Sequence, residues 1–361
     1  MTTIFDPIEL GGLTLPNRIL MAPMSRSRSY GPAACPTDMT VEYYRQRASA
    51  GLLVSEGIQP SPGGRGYPAT PGLYSEEQVA AWRKVTDAVH AEGGRIYAQI
   101  MHAGRIGHPV HLPEGQLPVG PSAVAAQAKV FSQQGLLDCV VPDELSAADI
   151  TAVIDEHVAA ARNAIRAGFD GVEVHAANGF LVHQFLSDNA NQRTDEWGGS
   201  EVANRIRFAV ELTKAVADAV GPTRVGIQIS PGNPYNDIVE ANPDEVYLAL
   251  VGALNALPLS YLALSEGPNR ALTVAVREKW NGTFILNPFT APRTTGLAEL
   301  ALVEDGLADL LSFGVLFLAN PDLPARLAQG GPFNEPDRST FYGGDAHGYL
   351  DYPTLAQVVT S

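Results

Sequence analysis

Eight short apolar runs, separated by longer segments with helical periodicity, constrain the fold of this chain more than any other feature of its sequence. An apolar run of about four to eight residues between turn signals is typical of a buried parallel strand. The predicted strands are residues 18–24, 52–58, 95–102, 171–175, 224–230, 261–265, 283–287 and 310–313. The predicted helices are residues 76–92, 147–167, 203–220, 243–257, 272–279 and 296–305.

Strand–helix alternation of this kind predicts an α/β fold, a single (β/α)8 TIM barrel over residues 1–361. A doubly wound open sheet is the competing architecture. It would need a glycine-rich phosphate-binding turn after an early strand, and no G-x-G-x-x-G motif follows one in this sequence. The closed barrel is therefore the preferred prediction.

Two segments lie outside the regular alternation. Residues 103–146, after the third predicted strand, are rich in Pro, Gly, Gln and Ala, and residues 133–141 could form a small hairpin. Such an excursion is either a simple loop or a cover over the active face that shapes substrate specificity. Residues 332–361 are predicted to form an irregular C-terminal tail with several aromatic side chains.

Composition excludes several classes of function. The formal net charge of −15 is spread along the chain, which argues against nucleic acid or an anionic membrane as a partner. The start of the sequence does not resemble a signal peptide, and no apolar run approaches the roughly 18 residues of a membrane span, so we expect a cytoplasmic protein. Cys35 and Cys139 could pair but are expected to be free thiols, and no metal site is predicted.

Chemically useful side chains follow nearly every predicted strand, at the barrel edge where TIM-barrel enzymes place their catalytic groups. His175 and Asn178, three residues apart after the fourth strand, can direct two hydrogen-bond donors at one carbonyl or phenolate oxygen. The other interpretation of His175 is a capping or core histidine. The complete set is Met24, Ser25, Gly57, Gln99, His102, His175, Asn178, Gln228, Ser265, Glu266, Asn287, Pro288, Gly314 and Val315. It suits a flat heteroaromatic ring or an enone better than a phosphate.

These residues and their neighbours resemble the Old Yellow Enzyme family of FMN-dependent ene-reductases. The resemblance covers almost the whole chain. It includes NRILMAPM at 17–24, GYPATPG at 66–72, AQIMHAGR at 98–105, NQRTDEWGGS at 191–200 and ANPDLP at 319–324.

The resemblance implies FMN at the barrel mouth, hydride taken from NAD(P)H, and delivery from flavin N5 to the β-carbon of an α,β-unsaturated carbonyl. By this likeness Ser25 contacts flavin O4 and N5, Gly57 leaves room for the ring, and Gln99 bonds the pyrimidine edge. His175 and Asn178 would hold the substrate oxygen. The remaining cofactor positions are Gln228 and Gly314, and the pocket would be lined by Met24, Tyr67, Met101 and Phe180.

Four residues depart from the family pattern. Phe180 replaces a tyrosine that protonates the α-carbon, which leaves Tyr67 or water as the proton source, although Tyr67 could simply line the pocket. Gln228 replaces an arginine beside flavin N1 and O2. Val315 replaces an arginine that pairs with the FMN phosphate, and Pro288 replaces a glycine whose N–H approaches that phosphate.

We therefore expect a diverged member in which FMN is absent or weakly held. It would perform redox-neutral chemistry, such as isomerisation, dehydration or cyclisation, on a small conjugated carbonyl compound. An ordinary FMN-dependent ene-reductase is the alternative, and only this alternative requires NAD(P)H. A catalytically silent barrel that binds a ligand or a partner protein is the third hypothesis. Family likeness predicts a monomer or a homodimer.

Overall fold

The computed structural model describes residues 2–359 and forms a closed barrel of parallel strands. Each strand pairs with its successor, and the eighth pairs with the first through Phe313 and Met21. The (β/α)8 prediction is confirmed. In chain order the barrel strands are Ile19–Met21, Leu52–Val54, Ile96–Ile100, Gly171–Ala176, Val225–Ile229, Tyr261–Ser265, Phe284–Asn287 and Leu310–Phe313.

Helices follow most of the strands, as the periodicity predicts. Two long ones begin at serine caps, because the Ser75 and Ser146 hydroxyls accept hydrogen bonds from the backbone N–H groups of Gln78 and Asp149. The α-helices are Asp38–Arg45, Glu76–Ala91, Ala147–Arg166, Leu181–Leu186, Val202–Val220, Pro243–Leu254, Arg270–Lys279, Ala301–Glu304, Val315–Ala319, Leu323–Gln329 and Leu355–Val359. The 3-10 turns are Pro32–Ala34, Pro62–Gly64, Gly104–Ile106, Pro222–Arg224, Leu297–Glu299 and Arg338–Thr340.

Side chains that alternate inward divide the barrel interior into layers. At the amino ends of the strands the layer is apolar, and the rings of Tyr97 and Tyr261 lie 5.7 Å apart within it. Gly171 and Gly226 make room for these rings, because a Cβ at either position would overlap a tyrosine ring. The hairpin of Ile8–Leu10 and Leu13–Leu15 packs Leu10 and Leu15 against the same layer.

The excursion after the third strand contains an antiparallel hairpin of Lys129–Ser132 and Gly135–Asp138. This hairpin begins before the segment predicted to form it, residues 133–141. Only the second strand, Gly135–Asp138, lies within that segment; residues 133–134 form the turn, and Gly135 has a φ of 102°. Two short parallel strands, Val119–Gly120 and Asp143–Glu144, pair nearby.

A stack of buried arginine and tyrosine side chains holds the C-terminal tail against the barrel. The Tyr43 and Tyr349 rings lie parallel with centroids 4.3 Å apart. Arg47 Cζ lies 3.8 Å from the Tyr43 centroid, and Arg28 Cζ lies 4.5 Å from the Tyr349 centroid. We call these four residues the arginine–tyrosine stack. Contacts between a cation and an aromatic face are strongest when both are desolvated, as they are here.

Arg26 and Arg28 also donate hydrogen bonds to the backbone of the C-terminal tail. Arg26 Nε and Nη2 donate to the carbonyl oxygens of Phe341 and Gly348, each at 2.9 Å, and Arg28 Nη2 donates to Thr340 at 3.0 Å. Arg26 follows Ser25, a predicted cofactor contact, so the tail is attached beside the candidate site.

Two further features concern residues 2–359 only. None of their helices combines the length and apolar character needed to cross a membrane. No group of three or more His, Cys, Asp or Glu side chains among them is arranged to hold a metal ion.

Replacing Tyr349 by alanine should lower the free energy of unfolding by about 3–5 kcal/mol, because the change opens a cavity between two buried arginine side chains. Thermal unfolding and limited proteolysis of the tail would measure this. Tyr349→Phe is the matched control, since it keeps the stacked ring. Equal stability of the two variants would show that the stack does not hold the tail.

Candidate active site

A cleft of about 980 Å³ opens at the carboxyl ends of the barrel strands. Its volume is at the upper end of the range typical of ligand pockets. Every residue predicted for the cofactor, substrate and catalytic positions lines it. These residues are Met24, Ser25, Gly57, Tyr67, Gln99, Met101, His175, Asn178, Phe180, Gln228 and Gly314.

His175 is the next-to-last residue of the fourth strand, and its ring is almost entirely buried. Burial lowers the pKa of His175 to about 3, so the imidazole is neutral near pH 7. Gln99 Nε2 lies 3.2 Å from His175 Nδ1. An amide nitrogen cannot accept a hydrogen bond, so a proton on Nδ1 would have no partner in this contact, which favours the tautomer protonated on Nε2. His175 can therefore donate one hydrogen bond to a ligand.

Asn178 is held by the loop that follows the fifth strand. Its φ of 55° lies in the left-handed region, which asparagine tolerates better than most residues. Asn233 Nδ2 donates to Asn178 Oδ1 at 2.9 Å, and Asn236 Nδ2 donates to the Asn178 backbone oxygen at 2.9 Å. Because Oδ1 is already occupied, the Nδ2 donor of Asn178 is available to a ligand in the cleft.

A buried polar network lies beneath the cleft. Gln99 Nε2 lies 2.8 Å from Glu173 Oε1 and 3.0 Å from Gln228 Oε1, while Tyr261 Oη donates to Glu173 Oε2 at 3.0 Å. Burial raises the pKa of Glu173 to about 7. These bonds fix the amide orientation of Gln99, with its nitrogen directed at Glu173 and Gln228.

Phe180 and Tyr67 form one wall of the cleft. The Phe180 ring centroid lies 5.3 Å from the His175 centroid, and the Tyr67 ring meets Phe180 edge-on at 6.3 Å. Burial raises the pKa of Tyr67 well above the usual value, and its hydroxyl contacts the Asn236 side chain. The Tyr67 phenol is thus protonated at neutral pH, and the same burial makes it a weaker acid than an exposed tyrosine.

The eighth-strand end of the cleft is open but weakly charged. A Cβ added at Gly314 would have Met24 Sδ as its nearest neighbour, at 3.8 Å, so Gly314 borders free space. Val315 lines the cleft there without supplying a charge. In the neighbouring seventh-strand loop, the backbone N–H that follows Pro288 belongs to Phe289 and donates to Glu266 Oε2 at 2.9 Å.

Three strand-end residues do not line the cleft: His102, Glu266 and Pro288. The buried His102 accepts a hydrogen bond at Nδ1 from Gly104, and Glu266 pairs with Arg270. Gly57 does line the cleft, but a Cβ there would lie 2.8 Å from Met101 Sδ. A side chain at position 57 would therefore require Met101 to shift.

Sequence reasoning assigned no individual rim residue to the cleft, although it considered the 103–146 excursion as a cover over the active face. The hairpin of the excursion, the loop after the fifth strand and the C-terminal tail all contribute residues to it. The added residues are Lys129, Phe131, Leu136, Asn233, Tyr235, Asn236, Arg338, Phe341 and Tyr342. The asparagine-rich turn at 233–237 was the one available signal, because it follows a barrel strand at its carboxyl end.

Comparison with known proteins identifies relatives along the whole chain. The model of the NADH:flavin oxidoreductase / NADH oxidase family matches residues 3–334. A probable flavin mononucleotide-dependent alkene reductase of Leishmania infantum is 42% identical over 98% of this chain and 97% of its own. The structure of morphinone reductase is 41% identical with a TM-score of 0.91, covering 99% of this chain and 97% of that one. The old yellow enzyme homologue from Zymomonas mobilis is 37% identical with a TM-score of 0.93, covering 98% and 100%.

These findings correct the functional expectation. The relatives with named activities are reductases over the full length of the chain, so the predicted redox-neutral isomerisation, dehydration or cyclisation is wrong. The substitutions at Gln228, Pro288 and Val315 do not close the cleft in which a flavin would lie. The chain belongs to the Old Yellow Enzyme family of NADH:flavin oxidoreductases.

Proposed function

We propose that the protein is an FMN-dependent ene-reductase that uses NAD(P)H to reduce the C=C bond of a small α,β-unsaturated carbonyl compound. The observation that carries this proposal is the cleft itself. It combines two donors for a carbonyl oxygen, on His175 and Asn178, with the predicted flavin contacts Ser25, Gln99 and Gly314. The reductase relatives support the same conclusion.

The residues of the cleft fit a flavin ring. Within residues 2–359, the Ser25 hydroxyl and the Gln99 Oε1 have no hydrogen-bond partner, although both residues line the cleft. Polar atoms in such positions are normally satisfied by a ligand or by water. Ser25 and Gln99 would hold the ring from two sides, and Gly314 borders the space beside it. When bound, FMN supplies the hydride that it has received from NAD(P)H.

His175 and Asn178 bind and polarise the substrate. Both donors converge on one carbonyl oxygen, so negative charge that develops on that oxygen is stabilised as hydride reaches the β-carbon. Because His175 is neutral, it donates a hydrogen bond without transferring its proton. Asn233 keeps the Asn178 amide oriented so that nitrogen, not oxygen, is directed at the ligand.

Tyr67 is our candidate for the proton donor to the α-carbon. Phe180 cannot fill this role because it has no exchangeable proton. Tyr67 packs on Phe180, and its phenol is protonated at neutral pH. Positioned acids of this kind typically contribute about 10²–10⁴ to a rate.

The mouth of the cleft supports a substrate with a sizeable apolar part. Four large side chains on three separate segments surround it and remain more than half exposed. They are Phe131, Leu136, Tyr235 and Tyr342. An apolar rim around a polar floor favours a ligand whose carbonyl lies deep in the cleft and whose hydrocarbon part extends outward. A cytoplasmic location and a monomer or homodimer remain predictions.

Removing a carbonyl donor should slow turnover. His175→Ala and Asn178→Ala should each lower kcat/KM for 2-cyclohexenone by about 10²-fold, since one such donor is worth about 3 kcal/mol. Steady-state NADPH oxidation at saturating FMN measures this. Ser265→Ala, which alters another residue lining the cleft, is the control. Unchanged kcat/KM in both variants would contradict the assignment.

The proton donor can be tested by removing the phenol at position 67 and introducing one at position 180. Tyr67→Phe should reduce alkene turnover by about 10²-fold or more. Adding Phe180→Tyr in the same protein should restore part of the rate, because it places a hydroxyl beside His175. Full activity in Tyr67→Phe alone would mean that water supplies the proton.

An arginine at position 315 should tighten FMN binding. One hydrogen bond to a charged group is worth about 1.5–3 kcal/mol, so Val315→Arg should lower the dissociation constant about 10- to 100-fold. Flavin fluorescence titration of the apoprotein measures the constant, with Val315→Leu as the neutral control. Equal FMN dissociation constants for Val315→Arg and Val315→Leu would show that the phosphate does not lie beside position 315.

A further inference from the structure

Among the residues that the structure describes, those that line the cleft include arginine and lysine but no aspartate or glutamate. The cations are Arg26, Lys129 and Arg338. The chain as a whole has 39 acidic and 24 basic residues. The cleft therefore has a local charge opposite in sign to that of the protein, which favours a ligand with an anionic group.

Two of these three cations already have partners. Arg26 donates to backbone carbonyls of the tail, and Lys129 Nζ lies 2.7 Å from Asp138 Oδ1. Arg338 differs, because within residues 2–359 its guanidinium makes neither an ion pair nor a hydrogen bond, whereas Arg26 lacks a partner only at Nη1. Its guanidinium carbon lies 6.0 Å from the Phe341 ring centroid. Arg338 is thus the uncommitted charge in the cleft.

The backbone brings Arg338 close to the eighth-strand end of the cleft. Asn334 donates from its backbone N–H to Asn320 Oδ1 and from Nδ2 to the Ala319 carbonyl, both at 2.8 Å. These acceptors lie at the end of the helix Val315–Ala319, which is about 7.5 Å long. Arg338 follows Asn334 by four residues, and Arg338 and Val315 both line the cleft.

We propose that Arg338 binds an anionic oxygen group of the ligand in the cleft and supplies the charge that Val315 does not. This inference rests on the proposed function. A phosphate or a carboxylate would fit, because the guanidinium donates two parallel hydrogen bonds to either group. The FMN phosphate is the favoured source, since the family likeness places it beside position 315. A carboxylate on the substrate is the other source.

The test compares FMN with riboflavin, which lacks the phosphate. Dissociation constants are measured by fluorescence titration of the apoprotein, for the wild type, Arg338→Gln and Lys129→Gln. Arg338→Gln should weaken FMN binding about 10-fold or more and leave riboflavin binding unchanged. Lys129→Gln, which removes a cation that already has a partner, should change neither constant. Val315→Arg in the Arg338→Gln protein should restore FMN affinity.

The outcomes separate the two anion sources. If Arg338→Gln leaves FMN binding intact but raises KM for 3-oxocyclohex-1-enecarboxylate and not for 2-cyclohexenone, the anion belongs to the substrate. If Arg338→Gln changes neither the FMN dissociation constant nor the KM for 3-oxocyclohex-1-enecarboxylate, the Arg338 inference is overturned while the proposed function stands. A wild-type protein that binds neither flavin would overturn the proposed function and this inference with it.

Discussion

The site depends on one constraint, the alternation of inward side chains along the strands of a closed parallel barrel. It brings Gln99, Glu173 and Gln228 together as buried neighbours at the floor of the cleft, with Gln228 paired in register with His175 and Gln99 with Glu173. The hydrogen bonds among these residues fix the Gln99 amide and the His175 ring before any ligand arrives. A preorganised floor of this kind can stabilise developing charge without rearrangement during the reaction.

Much of this could be predicted because the relevant signals are local. A short apolar run and the polar residue that ends it lie side by side in the sequence, so Ser25, Gln99, His175 and Asn178 could be identified together. The hairpin register and the cleft rim could not, because they depend on contacts between distant segments. The Asn233–Asn178 bond joins residues 55 positions apart, and no local pattern encodes it.

The redox-neutral expectation was overturned by the reductase relatives. It counted two lost arginines, at positions 228 and 315, and one lost backbone donor, at Pro288. The tail contributes to the same cleft from more than twenty residues beyond the eighth strand, and it carries Arg338. Likewise, His102 satisfies all the sequence criteria for a site residue, yet its ring packs against His157 outside the cleft.

The hairpin and the C-terminal tail, which form two sides of the cleft mouth, differ in how much their sequences can change. The Lys129–Asp138 hairpin is held by its own strand pairing, by the buried Val130 in the cluster of Met101 and Phe180, and by the His111–Phe131 hydrogen bond, so new sequences there must keep these distant contacts. The tail side is different, because Tyr349 packs on the buried guanidinium group of Arg28. A different tail sequence without this ring would leave that buried charge without its aromatic partner. New substrate preferences in this branch of the family should therefore arise first by variation in the hairpin, with the tail inherited almost unchanged.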